Sequence, residues 1–166
     1  MSKPEQLPHR VAVAVIMERT ALKHRWVSEK WEAKGIVRDD APAGAASRVI
    51  VESGDTRQVL FPGCEIRLQK HEAEGYYLNI TSPQPRVFVM WRMQDDGTPR
   101  PHMLTASYDE GARWMDSGEQ VDGVALPPEL LGWMAEFVEQ HYAPEPPQRK
   151  RYASNRDQGR MGRKSS

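Results

Sequence analysis

The chain has 166 residues, of which 39% are hydrophobic and 28% are charged, and its formal net charge is zero. This length supports one domain with a substantial core and leaves little room for two. No apolar run approaches the roughly 18 residues of a membrane-spanning helix, and the first residues lack the apolar segment of a signal peptide. We therefore expect a cytoplasmic protein without membrane insertion. The single cysteine, Cys64, is compatible with a reducing compartment.

The net charge of zero conceals an uneven distribution. Residues 143–166 carry seven Lys or Arg against two acidic residues, which makes this segment +5 and the remaining 142 residues −5. A basic extension on an acidic body is typical of an interaction arm or of a segment that folds back onto its own domain, and a tail that only aids solubility is the alternative. Its composition also predicts disorder. We expect a flexible N-terminus over 1–8, one α+β domain over 9–146 and a disordered basic tail over 147–166.

The first part of the predicted domain has the pattern of β-structure. The apolar run RVAVAVIM predicts a strand over residues 10–17, and the segment RDDAPAGAAS predicts a surface loop over 38–47. After this loop, short segments rich in β-branched and aromatic residues are separated by turn residues, which predicts an antiparallel meander. These segments are SRVIVES, RQVLF, CEIRLQKHE, GYYLNI, RVFVMWRMQ and HMLTAS.

Two helices are predicted after the strands. Ser107 and Glu110 have the spacing of a capping box for a helix over residues 108–117, which ends at Gly118. The segment LPPELLGWMAEFVEQHY has prolines at its start and apolar residues at helical spacing, and Pro144 ends it. We expect its apolar stripe to pack on the sheet. The predicted fold is α+β, with a curved antiparallel sheet or small barrel of six to seven strands and two C-terminal helices.

Two tryptophans, Trp26 and Trp31, lie five residues apart in HRWVSEKWEAKGI. This separation places them on opposite faces of a strand, or about 140° apart around a helix, so neither element buries both against one surface. In one interpretation Trp31 packs under the sheet edge while the other indole lies across it, covered partly by lysine stems. In the other, Trp26 stays partly exposed and anchors a protein partner.

Candidate catalytic and metal-binding groups are few. The five histidines form no HExxH motif and the lone Cys64 forms no CxxC pair, so we predict no metal site, no cofactor and no catalytic residue. Cys64 is expected to be a small strand residue rather than a nucleophile. Glu72 and Glu74 would face one side of a strand end, where a carboxylate pair could serve acid–base chemistry. A hydrolase or transferase that uses this pair is the least favoured hypothesis.

Several segments, taken in order, carry a family resemblance: HRWVSEKWEAKGIV, GYYLNI, PRVFVMWRM, ASYDEGARWMDSGEQVDGVALP and EFVEQHYAPEPPQRKR. Over about residues 9–151 they resemble a bacterial family of domain-of-unknown-function proteins that are encoded beside molybdenum-dependent formate dehydrogenases. The resemblance implies a role in making, assembling or regulating that enzyme, and it transfers no catalytic residue. The positions that match the family pattern are Trp26, Trp31, Tyr77, Asn79, His141, Tyr142, Pro144, Glu145, Arg149, Lys150 and Arg151.

The sequence thus favours a non-catalytic accessory or adaptor protein that acts through protein contacts, with formate dehydrogenase subunits or their assembly proteins as expected partners. The predicted contact residues are Trp26, Trp31, Tyr142, Arg149, Lys150 and Arg151. The alternative is a module that binds a small ligand or a nucleic acid through the barrel mouth or the basic tail. Nucleic acid is the less favoured partner, because the acidic body would repel a phosphate backbone.

Overall fold

The computed structural model describes residues 9–143, so the predicted flexible N-terminus and the basic tail, including Arg149, Lys150 and Arg151, lie outside the described residues. Within this range the chain forms strands and helices with the bounds β1 (Arg10–Ala21), β2 (Glu29–Arg38), β3 (Arg48–Ser53), β4 (Thr56–Arg67), α1 (Ala73–Ile80), β5 (Arg86–Met93), β6 (Pro99–Thr105), α2 (Tyr108–Asp116), β7 (Gln120–Ala125) and α3 (Leu131–His141). Short 3₁₀ turns, Lys70–Glu72 and Pro128–Leu130, precede α1 and α3.

The strands form two antiparallel sheets rather than one. The four-stranded sheet has the order β2-β1-β4-β3, and the three-stranded sheet has the order β6-β5-β7. Along two seams β2 lies near β7 and β4 lies near β6, but among residues 9–143 no strand pairing crosses either seam. The predicted α+β class is confirmed, whereas the single curved sheet or closed barrel is wrong. A helical segment between β4 and β5 interrupts the meander, so that β5 starts a new sheet.

The segment GYYLNI is helical, contrary to the prediction of a strand. It lies in α1, and the strand predicted for CEIRLQKHE ends at Arg67. Tyr76 and Asn79 are fully buried, and a separation of three residues places them on one face of a helix but on opposite faces of a strand. Burial of this face against the core therefore overrides the β-propensity of the tyrosines and the isoleucine.

Residues 107–143, the last part of the described range, follow the predictions more closely. The Ser107 hydroxyl accepts a hydrogen bond from the Glu110 backbone N at 3.1 Å, as a capping box requires. The Glu110 carboxylate instead accepts from the Thr105 hydroxyl at 2.6 Å, so only half of the reciprocal box forms.

Strand β7 was not predicted. Helix α3 packs beside α1, with Phe137 in the core.

Both sheets and the helices contribute to one hydrophobic core. Its members include Val13, Val15, Met17, Ile66, Tyr76, Val87, Val89, Trp91, Val124, Leu130, Met134 and Phe137. Their burial removes apolar surface from water, which is the main favourable contribution to folding. Among the helices described, none is long and apolar enough to cross a membrane.

One buried amide, that of Asn79, joins three elements. Its Nδ2 donates to the carbonyl oxygens of Arg86, at 2.7 Å, and of Ala106, at 2.9 Å. Its Oδ1 accepts from the Arg86 backbone N at 2.9 Å. The side chain thereby connects α1 to the start of β5 and to the residue before the N-cap of α2.

Replacing Asn79 with alanine should lower the free energy of unfolding by about 3 kcal/mol, because three backbone groups, among them the buried Ala106 carbonyl, lose a hydrogen-bond partner. Urea denaturation of the variant and the parent chain measures this change. The exposed residue Gln94 provides a control, since Gln94→Ala should change the free energy by less than about 0.5 kcal/mol. Equal effects of the two substitutions would show that the Asn79 network contributes little.

Candidate functional site

The β1–β2 hairpin ends in a loop, residues 22–28, that exposes Trp26. The indole is 79% exposed, which is the largest exposure among the large hydrophobic side chains described. The backbone N of Trp26 donates to Nδ1 of His24 at 3.1 Å, and the Arg25 guanidinium carbon lies 5.6 Å from the centroid of the indole. At the base of the loop the Leu22 N donates to the Ser28 carbonyl at 2.9 Å. The hairpin therefore holds Trp26 outward on a closed loop.

An apolar groove of about 590 Å³ adjoins this loop, and we call it the hairpin groove. Its apolar lining comes from Leu22, Val27, Trp31, Trp91 and Met93. The first two belong to the loop, the third to β2, and the last two to β5 of the other sheet. The groove thus lies where the ends of the two sheets meet.

The carboxylate of Asp122 fixes the seam beneath the hairpin groove. Its Oδ2 accepts hydrogen bonds from the Ala33 backbone N at 2.9 Å and from Trp91 Nε1 at 2.8 Å. These bonds connect β7 to β2 across the seam and to β5 within the smaller sheet. The N–H group of the Trp91 indole therefore has a hydrogen-bond partner. The rest of the ring packs in the core and borders the groove.

The two tryptophans of the hairpin lie in different environments. Trp31 is on β2, is partly buried against the core, and donates from Nε1 to a Glu29 carboxylate oxygen at 3.2 Å. Trp26 is in the loop, and its exposure is what the second interpretation requires. Trp31 packs partly against the core from the edge strand β2, as the first interpretation expected, whereas Trp26 is 79% exposed and is not covered as that interpretation required. The role of either residue in binding a partner stays a prediction.

Tyr142 lies at the opposite end of β1 from Trp26. Its ring centroid is 5.1 Å from that of Tyr77 on α1. The preceding residue, His141, has its ring 6.1 Å from that of His9, which comes immediately before β1. A straight strand with the length of β1 spans about 36 Å. The structure therefore separates Tyr142 from the hairpin, and of the predicted contact residues within the described range it does not bring Tyr142 together with Trp26 and Trp31.

The proposed carboxylate pair does not form. Glu72 is 4% exposed and lies in the 3₁₀ turn before α1, where it accepts a hydrogen bond from the Ser107 hydroxyl at 2.6 Å and another from Arg113. That hydrogen bond raises the pKa of Arg113 above its ordinary value. Glu74 is exposed in the first turn of α1. The prediction of two carboxylates facing one side of a strand is wrong, because this segment is helical.

Sequence patterns did not identify the residues that complete the hairpin groove. Asp122 and Ala33 are 89 positions apart in the chain, so no local spacing connects them. Trp91 and Met93 are two residues apart on β5 and therefore lie on the same face of the sheet. This spacing could have indicated from the sequence that the two side chains line one surface. Their approach to Trp31 depends on how the two sheets stack.

A family model described as a protein of unknown function, DUF3305, matches residues 12–151. The chain belongs to the DUF3305 family. No curated protein and no solved structure matches it. The resemblance to an uncharacterised domain family is thereby confirmed, and the association with formate dehydrogenase remains a proposal.

Cys64 of this DUF3305 chain is a partly buried residue of β4. Burial raises the pKa of its thiol from 9.0 to about 11. The raised pKa keeps the thiol in its protonated, less reactive form at neutral pH.

Among residues 9–143, no group of three or more His, Cys, Asp or Glu side chains is arranged to hold a metal ion.

The raised pKa predicts slow modification of Cys64. At pH 8 the folded chain should contain about 100-fold less thiolate than the unfolded chain, because the thiol pKa rises from 9.0 to about 11 on folding. The rate of reaction with iodoacetamide, measured in buffer and in concentrated urea, tests this difference. Comparable rates in the two solutions would contradict the burial of the thiol.

The two hairpin tryptophans should differ in their effect on stability. Trp26→Ala should change the free energy of unfolding by less than about 0.5 kcal/mol, because the indole is exposed. Trp31→Ala should lower it by about 2 kcal/mol, because this indole packs partly against the core. Urea denaturation of both variants of the DUF3305 chain provides the comparison. A large loss for Trp26→Ala would mean that its indole is buried in solution.

Proposed function

We propose that this DUF3305 chain is a non-catalytic accessory protein that acts in the cytoplasm through protein contacts, in the biogenesis or regulation of formate dehydrogenase. The observation that supports contact most directly is the exposed Trp26 beside the hairpin groove. Tryptophan is among the side chains that most often anchor interfaces, where it fills or borders a well-packed pocket.

The surroundings of Trp26 also favour an interface. The exposed apolar side chains Leu22, Val27 and Met93 line the groove, so apolar surface continues from the loop onto the neighbouring sheet. Contiguous apolar patches of this kind mark interaction sites more often than isolated exposed residues do. The base of the groove is already fixed by the Asp122 hydrogen bonds. A partner would therefore lose little free energy in ordering it.

The choice of partner comes from the sequence resemblance, in which family members are encoded beside molybdenum-dependent formate dehydrogenases. The second proposed contact region comprises Tyr142 and the basic residues Arg149, Lys150 and Arg151. Because Tyr142 and the hairpin lie at opposite ends of β1, the two regions would engage separate parts of the partner or separate subunits.

An affinity pull-down from the native host grown on formate tests this function. The full chain should retain dehydrogenase subunits or their assembly proteins, and Trp26→Ala should reduce retention about 10-fold, the loss expected for an interface anchor. Truncation after Ala143 should also reduce it. Met115→Ala is the matched control, since Met115 is an exposed apolar residue on α2.

The proposal fails if the full chain retains no component of the formate dehydrogenase system and a deletion strain keeps full dehydrogenase activity. Retention that is equal for the parent chain, Trp26→Ala and Met115→Ala would instead move the contact away from the hairpin.

A second candidate function is small-ligand binding, which the size of the hairpin groove favours. Its volume of about 590 Å³ falls within the range of roughly 300–1,000 Å³ that ligand sites occupy. Native mass spectrometry of the purified full chain would reveal a co-purifying molecule. A bound molecule that Trp31→Ala releases would support this candidate over the accessory function.

A further inference from the structure

We infer that the segment bound in the hairpin groove is an acidic peptide segment with bulky apolar side chains, an inference that rests on the proposed protein contact. Two independent features of the described surface lead to it: the apolar lining of the groove and the uncompensated positive charge of the loop beside it.

The apolar part of the groove requires an apolar occupant. Trp31 and Trp91 belong to its lining, and their indole N–H groups are already bonded to Glu29 and Asp122. Because these donors have partners, the indoles present mainly carbon surface to the groove. Large apolar side chains would bury that surface without leaving a polar group unsatisfied.

The carboxylates that line the groove are compensated within the protein. Glu29 lies 3.8 Å from the Arg19 guanidinium, and Glu32 lies 3.7 Å from the Lys30 ammonium. Asp122 accepts two N–H hydrogen bonds. These acidic groups therefore need no basic partner, and a basic segment would compete with the pairs that are already made.

The positive charge of the loop is not compensated in the same way. Lys23 and Arg25 form no ion pair with any residue in the described range 9–143, although each is exposed. His24 lies between them in the loop and belongs to the groove lining. A partner that carries carboxylates next to its apolar side chains would pair with this edge, and arginine binds a carboxylate with particular geometric specificity.

The shape and charge of the site favour a peptide over a lipid surface or a nucleic acid. A bilayer would cover the loop tip but would not fill the concave groove behind it. A nucleic acid carries a phosphate at every nucleotide, so it could not confine its negative charge to the edge next to Lys23 and Arg25. A peptide can place apolar side chains there and restrict its carboxylates to the edge next to Lys23 and Arg25.

Two synthetic peptides test the inference with the full chain. One is an amphipathic helix with Leu and Phe on one face and Glu on the other, and the second has Lys in place of every Glu. Fluorescence anisotropy of the labelled peptides should show about 10-fold tighter binding of the Glu peptide. The double variant Lys23→Glu, Arg25→Glu should reverse this preference, because it reverses the charge beside the groove.

A matched control accounts for general attraction by the basic tail. The double variant Arg38→Glu, Arg48→Glu makes the same change in net charge at exposed positions outside the groove lining. It should keep the preference for the Glu peptide. Trp26→Ala should weaken binding of that peptide about 10-fold if the indole anchors the apolar face.

The possible results separate this inference from the proposed function. Equal binding of the two peptides, binding of neither, or stronger binding of phosphatidylglycerol vesicles than of the Glu peptide would overturn the acidic occupant. If the pull-down still depends on Trp26 in that case, the protein contact stands with a different chemistry. If the Glu peptide binds as expected but no dehydrogenase component is retained, the chemistry of the groove stands and the named partner is wrong.

Discussion

The arrangement of the candidate site depends on two hydrogen bonds that the carboxylate of Asp122 accepts. The two sheets share a core, but no strand pairing connects them among the described residues, so their relative position is set by side chains. Asp122 accepts from Ala33 on one sheet and from Trp91 on the other. Hydrogen bonds to an ionised acceptor contribute about 1.5–3 kcal/mol each, more than bonds between neutral groups. The same contacts hold the indole of Trp91 beside the hairpin groove.

The helical layer depends on a second group of buried polar contacts. Glu72 accepts from Ser107, and Ser107 also caps α2, so one hydroxyl connects the entrance of α1 to the start of α2. The two elements approach so closely that a Cβ at Gly75 would overlap the Ser107 side chain. A buried carboxylate is tolerated here because Ser107 and Arg113 both donate to it. The buried acid of this chain therefore serves its structure.

The candidate interface combines a rigid base with an exposed tip. The Asp122 hydrogen bonds fix the seam at the groove, while Trp26 projects from a loop whose residues 22–28 are all exposed. An arrangement of this kind offers a partner a preformed pocket together with an accessible anchor. Tyr142, the other described residue of the proposed contact regions, lies at the opposite end of β1 from the hairpin.

The sequence by itself determined the elements whose signals are local. The valine-rich run of β1, the loop between β2 and β3, the Ser107 cap of α2 and the apolar spacing of α3 all depend on residues within a few positions of one another. The same holds for the family membership, which follows from ordered segments of the chain. The five-residue separation of Trp26 and Trp31 likewise showed that one regular element could not bury both against one surface.

Only the tertiary structure decided how those elements combine. The helical state of GYYLNI follows from burial of Tyr76 and Asn79, whose partners come from other elements. The division into two sheets, the burial of Glu72 and the hairpin groove depend on contacts between residues 35 to 89 positions apart. Composition and periodicity report which residues prefer burial and which local geometry suits them. They do not specify which distant surfaces meet, and that meeting produces the candidate site.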